Sequence, residues 1–147
     1  MILSETWRQK AVSLARHIAT WSKDPATKVG CVLFGADHEI LSTGYNGLPR
    51  SVQDLAWRMD RPAKYLWTAH AEANAVAQAA RTGACLKGAT AVVTHPPCAR
   101  CAGLLVQAGI KTVIHAGGTT NMPEEEFAVA DTIFDEADVL VIGHKET

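Results

Sequence analysis

The sequence predicts an α/β protein on a mixed five-stranded sheet, an N-terminal hairpin followed by parallel strands, with helices on both faces. Two observations carry this reading. The β-prone runs at 29–34 (VGCVLF) and 39–43 are separated by GADH, whose Gly and Asp suit a tight antiparallel connection. From residue 69 onward helix-forming and strand-forming stretches alternate, and each helix is long enough for a parallel crossover.

The elements follow in order. Residues 5–21 place Trp7, Ala11, Leu14, Ile18 and Trp21 at steps of three and four, the period of a helix that buries one face. Residues 22–27 break it. The stretch GYNGLPRSVQD at 44–54 is too dense in turn formers for regular structure and reads as a long loop. AHAEANAVAQAARTG at 69–83 is a strong helix former with Gly83 in the capping position. A strand at 89–94, a helix at 97–108 ended by Gly109 and a strand at 111–115 come next. A helix at 124–137, acidic in its first turn where the helix dipole favours anions, leads to a last strand at 139–142.

Composition bounds the function. With 147 residues and 48% of them hydrophobic, the chain fits one domain spanning 1–147. A net charge of -1, from 14 basic and 15 acidic side chains, argues against a general nucleic-acid partner. No stretch approaches the roughly 18–20 apolar residues of a membrane span. We therefore expect a soluble, cytoplasmic protein with no membrane partner. Cys31, Cys85, Cys98 and Cys101 are expected as thiols or metal ligands, with Cys31 a small buried thiol in its apolar run.

The chemistry concentrates in THPPCARC at 94–101 and AHAE at 69–72. A CxxC in the first turn of a helix puts two sulfurs on one face, close enough to share Zn²⁺, and the helix N-terminus favours the thiolate form. Pro97 suits the entry to that helix. Cys98 and Cys101 with His70 give three ligands, which leaves a position for water whose pKa the metal lowers to about 7. Glu72 follows His70 by two residues, about 200° apart on a regular helix, so both can face one point only if His70 precedes the first turn. Thr68 or His70 would then be the cap. In that geometry Glu72 lies beside the metal and moves protons.

H-x-E followed by P-C-x-x-C resembles the zinc nucleobase deaminases, a signature in general use for that superfamily. Within it the chain resembles the deoxycytidylate (dCMP) deaminases through SKDPATKVG at 22–30, GYNGLPR at 44–50, HAEANAV at 70–76, PPCARCA at 96–102 and QAGIK at 107–111. The resemblance implies a three-layer cytidine-deaminase-like fold, Zn²⁺ as cofactor, and hydrolysis of dCMP to dUMP and ammonia with Glu72 as the proton carrier. It also implies substrate contacts at Asn46, Lys28, Val29, Gly30, Ala71 and Pro97, with Asn46 near the sugar and the backbone at 29–31 framing the ring. Asn46 has the alternative of shaping its loop, and Lys28 that of a solvated strand-edge lysine. Assembly as a homo-oligomer and a response to dCTP and dTTP are further expectations from the same resemblance.

The segment HAGGTTNMPEEEF at 115–127 has no tyrosine where many dCMP deaminases carry one, which keeps a 5-substituted dCMP or an unphosphorylated nucleoside among the alternatives. Gly117, Gly118, Thr119 and Thr120 there read as an anion-binding turn or an ordinary strand-to-helix turn. Arg50, Arg58, Arg61 and Lys64 can meet phosphates or remain solvated charges. His17, His95 and His115 read as core or surface residues before ligands. A tRNA adenosine deaminase conflicts with the net charge, and a non-catalytic zinc-stabilised binding domain leaves Glu72 without a role.

Overall fold

The computed structural model describes residues 3–145. The chain forms α1 (Glu5–Ala19), β1 (Gly30–Phe34), β2 (Ile40–Tyr45), a 3₁₀ turn (Ala56–Met59), α2 (Lys64–Trp67), α3 (Ala71–Thr82), β3 (Thr90–Val93), α4 (Ala99–Ala108), β4 (Thr112–His115), α5 (Glu124–Glu136) and β5 (Leu140–Gly143). The sheet is five-stranded in the order β2-β1-β3-β4-β5. β1 pairs antiparallel with β2, as the hairpin predicts, and antiparallel with β3 on its other side. β3, β4 and β5 run parallel.

Alternation along the strands divides the core. Cys31, Leu33, Ala91, Val93 and Val113 face α3, α4 and α5, while Val32, Phe34, Val92 and Ile114 face α1. The two-residue period of a strand makes this division automatic. Leu33 and Leu105 are wholly buried, each worth about 2 kcal/mol of apolar transfer. Cys31 is buried as expected, and Cys85 is exposed.

The N-terminal helix buries Ala11 and Ile18 of the expected stripe but not its tryptophans. Ala11, Val12, Ala15, Ile18 and Ala19 face the sheet, whereas Trp7 is 39% exposed and Trp21, beyond the helix end, is 53% exposed. The reason is close approach: a Cβ on Gly30 would collide with the Ala15 carbonyl and the Ala19 amide, so only small residues fit beneath β1. Trp7 instead stacks on His38 at 4.2 Å, and Trp21 sets its edge against Tyr45.

Both inner helices begin and end as their capping residues dictate. Gly83 (φ 82°) and Gly109 (φ 97°) take the left-handed conformation that closes α3 and α4. α3 starts at Ala71 and α4 at Ala99, so Pro97 lies one residue before the cap rather than inside the helix. Ala71, Ala75 and Ala79 form a small-residue stripe that lets α3 settle on β2, where Gly44 has no side chain to intervene and the Ser42 hydroxyl donates to the Ala75 carbonyl at 2.7 Å. No helix among the described residues is long and apolar enough to cross a membrane.

Candidate metal centre and catalytic cleft

β3 ends at Val93, and the chain then turns through Pro96 and Pro97 to deliver Cys98 at the N-cap of α4. Beside it, the loop after β2 pairs Gly47 with Ala69 through two backbone bonds of 3.1 and 2.9 Å, which fixes the chain immediately before His70. His70 is the N-cap of α3, with extended backbone at φ -72° and ψ 158°. This meets the geometric demand of the H-x-E spacing. The extended residue turns the imidazole toward the sulfurs, and Glu72, in the first turn, presents its carboxylate to the same region.

His70 Nδ1 lies 3.5 Å from Cys98 Sγ and 3.4 Å from Cys101 Sγ. All three donor atoms fall within 4.8 Å of one another. A tetrahedral zinc with arms of about 2.3 Å to sulfur and about 2.05 Å to nitrogen sets S···N edges of roughly 3.6 Å, so the donor set fits that ion and leaves a fourth vertex to another ligand. Cys98 and Cys101 are each 4% exposed, while His70 stands at the wall of the cleft.

The protein groups order one another's protons. The Cys101 thiol beside Cys98, together with His70, brings the Cys98 thiol down to about 4, while hydrogen bonding to the Cys98 sulfur and burial push Cys101 upward. Hydrogen bonding to Cys98 raises His70. Glu72 is 4% exposed, and burial is the leading cause that lifts its carboxyl to about 7. A proton carrier poised near neutrality results.

His70, Glu72 and Cys98 line a cleft of about 350 Å³. Of the sequence-predicted substrate contacts, Val29, Asn46 and Ala71 line it. Lys28 is exposed and lies outside the lining. Gly30 is buried with its open side toward α1, and Pro97 is buried behind Pro96, which takes the place in the wall that we expected of Pro97.

Asn46 is occupied by the protein. Its Oδ1 accepts from Val29 N at 2.8 Å, and its Nδ2 donates to the Thr27 carbonyl at 2.9 Å and to Asp24 Oδ2 at 3.5 Å. It holds the 24–29 segment as one wall of the cleft.

Sequence reasoning missed several wall residues. Asp24, Thr68 and Tyr65 line the cleft, as do Thr120, Asn121 and Met122 from the segment after β4. Asp24 belongs to the SKDPATKVG block, Thr68 was a cap alternative and Thr120 part of the noted turn, but none was assigned to the cleft, and Tyr65, Asn121 and Met122 carry no motif. Of the four basic residues noted in the middle of the chain, Lys64 and Arg61 reach the cleft. Lys64 pairs with Asp24, and both Arg61 terminal nitrogens meet the Asn121 amide oxygen at 3.1 and 3.2 Å in the amide orientation that satisfies both partners. Arg58 instead stacks 3.9 Å from the Trp67 ring centroid, and Arg50 donates to Gln78. His95 lines the cleft with Nδ1 2.7 Å from the Thr94 hydroxyl, and Gly118 leaves room for its ring.

The sequence pattern of the cytidine and deoxycytidylate deaminase zinc-binding region matches residues 5–117. The chain belongs to the cytidine and deoxycytidylate deaminase family. An uncharacterized deaminase in the luxG 3′ region of Aliivibrio fischeri is 38% identical over 138 residues, which make up 92% of this chain and 91% of that protein. The deoxycytidylate deaminase of Mus musculus is 35% identical over 128 residues, 83% of this chain and 71% of the mouse protein. The crystal structure of the cyanophage S-TIM5 dCMP deaminase with dCMP and dUMP superposes with a TM-score of 0.80 at 22% identity, covering 97% of this chain and all of that one, which shows the shared fold. In this deaminase the cluster of His70, Cys98 and Cys101 is therefore placed to hold the zinc ion that the family name specifies.

Proposed function

We propose that this deaminase hydrolyses dCMP to dUMP and ammonia. The observation that carries the reading is Glu72, a buried carboxyl that lines the same cleft as His70 and Cys98 of the three-residue metal-binding cluster. The deoxycytidylate deaminase relatives support dCMP as the substrate.

His70, Cys98 and Cys101 would hold Zn²⁺, which when bound would supply the Lewis acidity that makes water a nucleophile at neutral pH. Glu72 takes a proton from the attacking water and gives it to ring N3. It then carries the second proton to the amine on C4, which leaves as ammonia. Consumption of one water and release of one ammonia balance the step. Val29 and Ala71 line the cleft and would contact the ring, and Asn46 holds Val29 in place. Arg61 brings to the cleft the positive charge that a 5′-phosphate requires, whereas Lys64 there is paired with Asp24.

A panel of dCMP, CMP, deoxycytidine, cytosine and 5-methyl-dCMP, assayed by ammonia release, tests the substrate. We expect dCMP to lead, and equal turnover of deoxycytidine defeats the nucleotide assignment. Glu72→Ala is expected to retain zinc and lose activity. Full ammonia release by that variant defeats the mechanism.

The effector reading takes its support from a second cleft of about 240 Å³ that shares Asn46 with the first and is lined by Tyr45, Arg50 and Gln78 among others. A change in the substrate saturation curve on adding dCTP or dTTP, removed by Arg50→Ala, is the expected result. Assembly as a homo-oligomer draws on apolar exposure around α2, where Leu66 is 91%, Tyr65 65% and Trp57 52% exposed. Sedimentation of the protein as a monomer at working concentration overturns it.

A further inference from the structure

Cys98 occupies a position with two competing demands. As the N-cap of α4 it is the residue whose side chain would ordinarily accept from the first free N–H groups of the helix. Its sulfur also faces His70 Nδ1 at 3.5 Å and takes the Cys101 N–H, which leaves the Ala99 amide to another acceptor.

The acceptor comes from another helix. Glu126, in the first turn of α5, places Oε1 3.2 Å from the Ala99 amide, the first N–H of α4. Glu124 and Glu125 share that first turn but are exposed, whereas Glu126 is half-buried between the helices. Its own backbone is held by a 3.0 Å bond from its amide to the Pro123 carbonyl. The Glu126 carboxylate is thus fixed at the turn that carries Cys98 and Cys101, and its charge faces the positive end of that helix.

We infer that Glu126 is a positioning residue for the zinc centre, a remote acceptor for the first N–H of α4 that fixes the turn carrying Cys98 and Cys101. The reading rests on the zinc centre and not on the identity of the substrate. It explains how ligand geometry is kept at a helix end whose capping residue also binds the metal. Partners behind the ligands set metal affinity by about 10- to 100-fold in comparable sites.

The test uses the zinc-loaded protein and three variants, with zinc transfer to excess chelator as the readout. Glu126→Gln keeps an acceptor oxygen at the same reach and removes the charge. Glu126→Asp keeps the charge and loses the reach. Glu126→Ala loses both. Zinc loss about 10-fold faster in the Ala and Asp variants, with Gln within about threefold of the parent protein, supports remote capping. Co²⁺-substituted protein is expected to show a shifted thiolate charge-transfer band in Ala and Asp only.

Zinc loss from Glu126→Ala at the parent rate overturns the inference. A Gln variant as impaired as Ala also overturns it, since charge alone would then explain the effect. A purely structural role is separated by melting: it lowers the metal-free and zinc-loaded forms equally, while positioning reduces the increment that zinc adds. Because no arm measures deamination, failure here leaves the dCMP reading untouched, and failure of that reading leaves this one standing.

Discussion

Lys64 Nζ lies 3.0 Å from Asp24 Oδ2, joining residues 40 apart in a pair that is 8% and 3% exposed. It ties the segment after α1 to the first turn of α2 at the wall of the cleft. Asp24 Oδ1 also accepts from the Ala26 and Thr27 amides at 2.8 and 3.1 Å. Burial pushes the Asp24 carboxyl up, but the two amides and the Lys64 ammonium prevail and hold it below its ordinary value. Removing one partner from a buried pair costs about 3 kcal/mol, so Lys64→Met is expected to be destabilised by that order at pH 7.

The sign of the pH effect follows from the same pair. A carboxyl depressed in the folded state contributes stability in full above its unfolded value near 3.9, and loses it as pH falls through the folded value. The gap between the parent protein and Lys64→Met, read from urea denaturation, is therefore expected to be constant from pH 5 to 7 and to narrow below pH 4. A gap that widens on acidification contradicts the assignment.

Asn46 distinguishes a substrate contact from a clamp. Its amide nitrogen faces the Thr27 carbonyl and the Asp24 carboxylate, so Asn46→Asp sets acceptor against acceptor, whereas Asn46→Ala leaves the partners unpaired. A clamp predicts that Asp is worse than Ala, with both lowering the melting temperature and a loss of about 1–3 kcal/mol for Ala. A residue that only touches substrate predicts lost turnover with unchanged melting. Thermal melts of the two variants decide.

The zinc site was legible because its signal is local. His70 and Glu72 sit two residues apart and Cys98 and Cys101 three apart, so each pair constrains the backbone around it, and the extended cap at His70 could be demanded before it was seen. The hairpin was legible for the same reason. The region from residue 55 to 68 was not: its 3₁₀ turn and the four-residue α2 are too short for a periodic pattern, and they are held by the Asp24 pair and by Arg58 stacked on Trp67. On α1 the expected Ala11 and Ile18 are buried, but Trp7 and Trp21 are not, because Gly30 meets the helix at Ala15 and Ala19. Asn46 was placed at the cleft, but its bonding partners come from loop geometry that no motif encodes.

Two glycines in catalytic elements are expected to respond oppositely to alanine. A Cβ at Gly44 would collide with the Ala71 carbonyl and the Ala75 amide in the helix that carries Glu72. Gly44→Ala is expected to cost about 1–3 kcal/mol and, by displacing the first turn of α3, about 100-fold in kcat. Gly103, inside α4, has nothing within 4 Å of the added carbon. Gly103→Ala is expected to gain up to about 1 kcal/mol from reduced unfolded-state entropy and better helix propensity, with activity retained. Chemical denaturation and turnover of both variants check the pair, and a stabilised Gly44→Ala would mean that α3 lies farther from β2.

Arg61 lets the proposed nucleotide assignment be tested at one residue. It lines the cleft opposite the loop after β4, and both its terminal nitrogens meet Asn121 from the segment that lacks the tyrosine of many relatives. A guanidinium presented on a neutral amide keeps its charge for an incoming anion, and a bidentate phosphate contact outcompetes an amide oxygen because both its partners are charged. Arg61→Ala is therefore expected to raise KM for dCMP about 10-fold or more and to leave the slow turnover of deoxycytidine unchanged. Arg61→Lys keeps charge without the fork and is expected to recover part of the loss. The salt dependence separates this from a folding defect: the parent KM for dCMP rises with ionic strength, and the Ala variant loses that slope. Equal impairment on dCMP and deoxycytidine would place Arg61 in the architecture of the cleft and send the search for the phosphate contact to other residues of its rim.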